Sequence, residues 1–486
     1  MRGLCYNSPT MPPPWFRIGL FAICASLYPS AGAGIVLAGQ AGAAPRVTSA
    51  ESHSQTILVF PFENGGRTAN LDWLGEGLSE LTAERLQDRG ASVLSRADRL
   101  ATLEKMGLPD SARFSHASLV KIAGDADADI VVYGRFVSTA NTVSLEARVL
   151  HISPPSISPP LTETSPMQDL IRAQARLSWQ IFCAIYPVTG AGSTWSPPAS
   201  CTAKGAIRDE TSFSDPPPSL RLAALENLIR GLTASGDEER LRLLREASRL
   251  EPAWDRPPYE LGLIYFERRD CELALPWLSR VPPDRPDGPE AGFDTGVCHL
   301  LRNDASRADA AFSGLIDRSR STDPRERLPE FPEVYNNLGI SRLRQGKWSE
   351  AGNEFERAAA LDPGEPDYWF NIGISKLTAK QSAAAVAPFE SALKLSADDK
   401  EARAMLILVL QSIGRNSDAD AVRAAPPENT GRVTLPDLQN SAALARLARV
   451  SKKFDRALLR PAGDPPAAQP IPEKTPARSE NKGEPR

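Results

Sequence analysis

A spacing of 34 residues recurs through the second half of the chain in three kinds of residue. Four glycines follow steps of 34, 43 and 34 residues, and the long step is one period plus the nine residues 321–329. Alanines and large apolar residues keep the same steps. The glycines and the alanines between them are Gly262, Ala274, Gly296, Ala308, Gly339, Ala351, Gly373 and Ala385. A fixed period of this length indicates supersecondary units that stack into a solenoid.

The stretch 332–363 carries the most complete copy of the repeat, with Tyr335, Leu338, Gly339, Ala351 and Phe355 in order. This pattern resembles the tetratricopeptide repeat family, which implies helical pairs whose small residues lie where helices cross closely. Extending the register predicts an all-α solenoid of six units over 219–424. The units begin near Arg221, Asp255, Pro289, Pro332, Pro366 and Lys400. Terminal units are expected to be degenerate.

Candidate binding residues follow from the same resemblance. In many tetratricopeptide proteins an asparagine just before the Leu-Gly pair binds an extended peptide backbone, and Asn337 and Asn371 hold that position here. Asn336 and Arg344 are expected to face the same groove. The alternative is that these are ordinary polar residues on a solvated face. We expect a protein or peptide partner in this groove.

An earlier region, 55–187, alternates strands and helices, which predicts an α/β domain. Its segments VFPFENGG, LDWLGEGLSELTAERL and ADIVVYGRFV resemble the TolB amino-terminal-like domain, which often precedes tetratricopeptide repeats in bacterial proteins. That resemblance implies a role in envelope assemblies or signalling and no general catalytic activity. The whole chain is thus predicted to be multidomain, with this α/β domain preceding the solenoid.

Gly65 and Gly66 follow an apolar strand and precede a helix, which is an arrangement that cradles phosphates in nucleotide enzymes. A phosphate loop needs a Lys and a hydroxyl after its last glycine and another glycine five residues before it. Here Gly66 is followed by Arg67 and Thr68, and the spaced first glycine is missing. The dinucleotide pattern is also missing, because Glu80 stands where the pattern requires its third glycine. We interpret the two glycines as a turn.

Residues 1–44 have the pattern of a secretory signal peptide, with Arg17 before an uncharged stretch and small residues at 41–43. The uncharged stretch 18–40 is also long enough to serve as an uncleaved membrane anchor. Either interpretation exports the protein, so it is expected to be periplasmic or anchored facing the periplasm.

Four cysteines follow the leader, and export makes their pairing feasible. Cys271 and Cys298 fall on helices expected to pack against each other, so they are candidates for a disulfide or for two buried thiols. Cys183 and Cys201 flank a loop within the start of the Pro/Ser-rich linker 188–218, which a disulfide would close.

Beyond the solenoid, residues 434–460 are predicted to form an amphipathic basic helix. It is expected either to bind an anionic membrane or a partner, or to cap the last repeat. The Pro-rich, charged tail 461–486 is expected to be disordered.

The charge balance of 56 basic and 60 acidic residues gives no electrostatic footprint for nucleic acid. No sequence-local metal, nucleophile or nucleotide motif is found, so no cofactor, no metal and no enzymatic activity are expected. The sequence therefore predicts an exported, non-enzymatic adaptor in the bacterial envelope. The alternative is an α/β domain that senses a small ligand and is coupled to a signalling solenoid, which ligand-dependent melting of the fragment 55–187 would reveal.

Overall fold

The computed structural model describes residues 55–66, 69–110, 112–139, 141–185, 220–323, 327–425 and 434–459. The leader, the linker 188–218 and the tail 461–486, with Cys201 among them, lie outside the described residues. No helix in the described ranges is long and apolar enough to cross a bilayer.

The amino-terminal region is a mixed sheet between two helical layers. Within the described residues the sheet has the strand order β3-β1-β4-β5-β6, with β2 on β4 and β7 on β5. Strands β1 to β4 pair in parallel, and β5 to β7 add antiparallel pairs. The strands are β1 (Thr56–Val59), β2 (Glu63–Asn64), β3 (Ser92–Val93), β4 (Ile130–Ser138), β5 (Thr142–His151), β6 (Ser156–Ile157) and β7 (Leu161–Pro166).

Alternation along the central strands builds two separate cores, because successive side chains point to opposite faces. Ile57 and Val132 face a cluster that includes Leu78 and Ile181 of the first helical layer. Leu58 packs in a different cluster with the second helical layer. The first layer is α1 (Asp72–Gln87) and α4 (Leu170–Ile185), and the second is α2 (Arg96–Lys105) and α3 (His116–Asp125).

The glycines near the first strand are used for turns and close approach. The Gly65 N–H donates to the Phe136 carbonyl at 2.8 Å, and the Gly66 N–H donates to the Asn64 side chain at 3.2 Å. A Cβ at Gly75 would lie 2.2 Å from the Phe62 carbonyl oxygen, so α1 can lie this close to the backbone between β1 and β2 only with glycine there.

Six helical pairs form the described part of the solenoid, and each begins within one residue of a unit read from the sequence. Each first helix packs on its second helix, and each second helix packs on the next unit. The pairs are α5 (Leu222–Thr233) with α6 (Asp237–Leu250), α7 (Arg256–Glu267) with α8 (Cys271–Leu278), α9 (Gly288–Leu301) with α10 (Ala305–Ser319), α11 (Pro332–Arg344) with α12 (Trp348–Leu361), α13 (Pro366–Thr378) with α14 (Ser382–Leu395), and α15 (Lys400–Ser412) with α16 (Asn416–Ala424).

The repeating glycines lie where each first helix crosses its second helix. A Cβ at Gly339 would come within 2.6 Å of the Phe355 ring, and one at Gly373 within 2.7 Å of the Phe389 ring. Gly262 and Gly296 make equivalent approaches to large apolar side chains. The alanines Ala274, Ala308, Ala351 and Ala385 have no exposed surface. These eight positions therefore serve packing.

A disulfide joins Cys271 at the start of α8 to Cys298 in α9, with a Cα–Cα distance of 5.1 Å. It connects the second unit covalently to the third. Cys183 lies in α4, and its proposed pairing falls on a residue outside the described ranges.

The α/β region packs directly on the first units of the solenoid. A Cβ at Gly77 of α1 would lie 3.4 Å from the Leu225 side chain of α5, so the glycine lets the two helices pack closely. Around this apolar contact, Arg285 pairs with Asp88 at 2.9 Å and with Glu84 at 3.3 Å. The two regions thus share an interface of apolar and ionic contacts.

Candidate functional site

The first helices of the solenoid units line the face that stacking makes concave, and a carboxy-terminal stretch of the chain lies on it. We call residues 446–459 the groove segment. It follows the short helix α17 (Ser441–Ala445) and ends in a single 3-10 turn, Arg456–Leu459. Its contacts run from α13 and α15 back to α7, so it runs opposite to the order of the units.

Two asparagines bind the backbone of the groove segment in the same way. The Asn371 side chain donates from Nδ2 to the Arg449 carbonyl at 2.9 Å and accepts from the Arg449 N–H at 2.8 Å. Asn337 does the same for Ser451, at 2.8 Å and 3.0 Å. Because residues two apart in an extended chain point the same way, consecutive units bind alternate residues of the segment.

Asn336 links these two positions. Its Nδ2 donates to the Arg449 carbonyl and to the Ser451 hydroxyl, both at 3.0 Å. Its Oδ1 accepts from Asn371 at 2.8 Å. Asn336, Asn337 and Asn371 all have no exposed surface, so each lost partner would leave a buried polar group unsatisfied.

The Arg449 side chain occupies an acidic pocket between the fifth and sixth units. Its guanidinium pairs with Asp367 at 2.9 Å, with Asp399 at 2.8 Å and with Glu401 at 3.2 Å. It also lies over the Phe370 ring, with its central carbon 3.8 Å from the ring centroid. Burial alone would raise the pKa of Asp399, but its hydrogen bond to Arg449 holds that pKa below the ordinary value.

Phe454 fills an aromatic pocket between the third and fourth units. Its ring centroid lies 4.6 Å from that of Phe331 and 5.4 Å from that of Phe293. Beside it, the Asp455 N–H donates to the Glu333 carboxylate at 2.7 Å. Burial raises the pKa of Glu333.

Arg456 enters a second acidic pocket, between the second and third units. It pairs with Asp287 at 2.9 Å, forms an ion pair with Glu290, and donates to the Tyr259 hydroxyl at 2.6 Å. Asp287 also pairs with Arg256 at 3.1 Å, and burial of Asp287 is outweighed by the two arginines, which lower its pKa. The second pocket therefore holds its arginine by charge and by hydrogen bonds.

Arg344, the remaining residue predicted to line the groove, has a different contact. It donates to the Leu300 carbonyl of α9 at 2.7 Å and so connects the fourth unit to the third. Burial, with a smaller effect from Arg446, lowers its pKa. This hydrogen bond of Arg344 thus joins neighbouring helices and does not reach the segment backbone.

The prediction of one amphipathic helix over 434–460 is wrong for the described residues 434–459. Only Ser441–Ala445 is α-helical, and residues 449–455 have no regular secondary structure. The physical reason is competition for backbone groups, since the groove asparagines and Glu333 take up hydrogen bonds that a helix would make internally. One signal was present in the sequence, because Arg449 and Arg456 complement the acidic residues on the first helices of the units.

No group of three or more His, Cys, Asp or Glu side chains in the described ranges is arranged to hold a metal ion. What the arrangement can do chemically is bind an extended chain, with amides for its backbone and acidic pockets for its arginines.

Comparison with known proteins identifies the repeat. Residues 336–427 match the tetratricopeptide repeat family. The chain is 34% identical over 136 residues to the tetratricopeptide repeat domain-containing protein PYG7, chloroplastic, of Arabidopsis thaliana, covering 28% of this chain and 44% of that protein. It is 21% identical over 177 residues to a BBSome complex member BBS4 homolog of Drosophila melanogaster, covering 36% of this chain and 35% of that protein.

The chain therefore spans less than half the length of these curated relatives. Among solved structures, MamA aligns with a TM-score of 0.30 at 15% identity, over 35% of this chain and 87% of MamA. The family match and the PYG7 relative support a tetratricopeptide repeat protein, whose repeats point to interaction with other proteins.

Proposed function

We propose that this protein is an exported, non-enzymatic adaptor of the bacterial cell envelope that binds an extended segment of a partner protein in its solenoid groove. The observation that carries the proposal is the pair of two-way hydrogen bonds from Asn337 and Asn371 to backbone N–H and C=O groups. Amides placed in this way bind any extended chain of suitable register, which is the mode of recognition that an adaptor needs.

Export is supported by the leader pattern of residues 1–44 and by the Cys271–Cys298 disulfide. Structural disulfides persist in oxidising compartments such as the periplasm and are rare in the cytosol. The resemblance of the α/β region to the TolB amino-terminal-like domain supports a place in envelope assemblies.

Affinity co-purification after cross-linking in cells tests the proposal, with wild type compared with Asn337→Ala/Asn371→Ala. We expect the partner to be lost in the double variant, because two buried backbone contacts disappear. Asn353→Ala, an exposed asparagine on the second helix of the fourth unit, is the matched control. A partner retained equally by all three proteins would contradict groove recognition.

A second candidate function, ligand sensing by the α/β region coupled to the solenoid, is favoured by one chain of ionic contacts. Arg256 pairs with Glu80 of α1 at 3.5 Å and with Asp287 at 3.1 Å, and Asp287 in turn pairs with Arg456 of the groove segment. Ligand-induced movement of α1 would thus act on one end of the groove segment.

Arg256→Met tests this coupling, because it removes the central cation of the chain of contacts. We expect faster hydrogen exchange at the Asp455 and Arg456 amides, with the exposed Arg242→Ala as control. Unchanged exchange in Arg256→Met would remove the support for coupling.

A further inference from the structure

We propose that the partner presents an extended segment with the pattern Arg-x-Ser-x-x-Phe-x-Arg, and that it binds by displacing the groove segment, which carries the same pattern from Arg449 to Arg456. The inference rests on the proposed function and specifies its ligand and its regulation. It follows from what each pocket of the groove selects.

The pocket for the first arginine selects a guanidinium over other side chains. Three carboxylates converge on Arg449 from Asp367, Asp399 and Glu401, while the Phe370 ring covers one face of the guanidinium. Arginine is planar and can form several directed hydrogen bonds while stacking on a ring, whereas lysine presents a compact point charge.

The pocket for the second arginine lies seven residues further along the segment. Asp287 and Glu290 pair with Arg456, and the Tyr259 hydroxyl, which itself donates to Glu290 at 2.6 Å, accepts from the same guanidinium. Arg256 forms an ion pair with the other carboxylate oxygen of Asp287. A ligand without a cation at this point would leave Glu290 without its arginine and Asp287 with one of its two, which is unfavourable for half-buried carboxylates.

The spacing between the two arginines is set by fixed contacts. Asn371 and Asn337 hold Arg449 and Ser451, and the rings of Phe293 and Phe331 hold Phe454 two residues before Arg456. The serine position is specified because Asn336 donates to its hydroxyl at 3.0 Å. The intervening Lys452 and Lys453 are exposed, so their identity is left open.

Covalent attachment makes the groove segment a strong competitor. It is connected to the last unit through residues 425–445, and a short connection gives an effective concentration on the order of millimolar. If the free segment had a dissociation constant of about 10 μM, the tethered copy would weaken a partner's apparent affinity by roughly 100-fold. The wild-type chain is therefore expected to be largely closed.

The test uses a fluorescent peptide of residues 446–459, RLARVSKKFDRALL, and the full-length protein. In the open variant Arg449→Ala/Phe454→Ala/Arg456→Ala, the peptide should bind at least tenfold more tightly than to wild type. The matched control is Lys452→Ala/Lys453→Ala, which changes two exposed side chains of the same segment and should behave like wild type. A peptide with alanine at both pocket arginines should not bind the open variant.

Two further measurements keep the test decisive. If the open variant misfolds by circular dichroism, excess peptide is added to wild type, where faster hydrogen exchange at the tethered Arg449 and Ser451 amides would show displacement. Equal peptide binding by wild type and the open variant, no binding by a folded open variant, or unchanged exchange in wild type would overturn the proposal. The proposal would also be overturned if wild type were a dimer and the open variant a monomer, because the groove segment would then bind the groove of a second copy.

Failure here is distinguishable from failure of the adaptor function. Suppose that a partner is captured through Asn337 and Asn371 while its binding changes neither in the open variant nor with added peptide. That result would support the adaptor function and contradict the displacement of the groove segment.

Discussion

Two halves of one groove use the same repeat position differently. Two residues before the helix-crossing glycine, the fourth and fifth units carry Asn337 and Asn371, whereas the second and third carry Glu260 and Asp294. The amides each donate and accept, so they bind a backbone unit completely. The Oδ2 atom of Asp294 has no hydrogen-bond partner among the described residues.

The difference separates two tasks of recognition. An amide binds the N–H and C=O of any residue, so the asparagine half fixes the direction and register of an extended chain. In the acidic half, Glu260 pairs with Arg256 instead of the segment backbone. The nearby Asp287 and Glu290 accept from the Arg456 side chain. Substitutions in each half should therefore have different signatures.

The largest effect is expected from Asn371→Ala. It removes both hydrogen bonds to Arg449 and leaves Asn336 without its donor. Lost hydrogen bonds in a buried network cost about 1–3 kcal/mol, so amide exchange at Arg449 and Ser451 should accelerate by roughly 5- to 150-fold. Hydrogen-exchange mass spectrometry measures this. If exchange accelerated only at Arg456, the asparagine half would not be what holds the backbone.

Asp294→Asn in the acidic half is expected to have a smaller effect, and this substitution should stabilise the folded state. Burial, followed by the nearby Glu290 and Glu267 and against Arg456, raises the pKa of Asp294 well above its ordinary value. The folded state thus binds a proton that the unfolded state releases near pH 4, so stability falls as pH rises above that value. The amide variant avoids this loss and should be more stable than wild type at pH 7.5, with little difference at pH 4.

Urea denaturation at the two pH values measures the effect of Asp294→Asn, and Asp287→Asn is the matched control. The pKa of Asp287 is lowered, so its ionised form stabilises the folded state and the control should be destabilised at pH 7.5. A destabilised Asp294→Asn at pH 7.5 would show that the carboxylate is ionised and useful.

The smallest effect is expected where the acidic half meets the α/β region, because the Glu84 side chain is 25% exposed and water screens its charge. Burial, then Asp88 and Asp255, raises the pKa of Glu84 to about 7 against the opposing Arg285 and Arg256. Stability should therefore fall as pH rises from about 4.5 to about 7 and then level off, and Glu84→Gln should flatten this part of the curve. Thermal melting across pH 4.5 to 8 measures the slope. An unchanged slope would assign the titration to other groups.

The sequence was sufficient for the features that repeat and insufficient for those that depend on one long-range contact. Glycine and phenylalanine spacing located the six helical pairs, because each packing contact recurs once per unit. The three asparagines that meet in the groove were also nominated from the repeat register. Arg344 was nominated by the same register, but its bond to Leu300 depends on the neighbouring unit.

Local sequence patterns were misleading about secondary structure where the hydrogen-bond partners are distant in sequence. The stretch 446–459 has helical periodicity, yet more than 100 residues separate Ser451 from its partner Asn337. Strand β7 carries a weak sequence signal, because its residues LTETSP are polar and end in proline, which suits an edge strand better than a core one.

The covalent bond between Cys271 and Cys298 gives the two halves of the groove unequal stiffness. It braces the junction between the second and third units, and the pocket of Arg456 spans that same junction, with Tyr259 on one side and Glu290 on the other. Asn337 and Asn371 lie in the fourth and fifth units, whose junction has no disulfide in the described ranges. Bending of the superhelix should therefore concentrate at the asparagine half, which can move relative to the cross-linked acidic half.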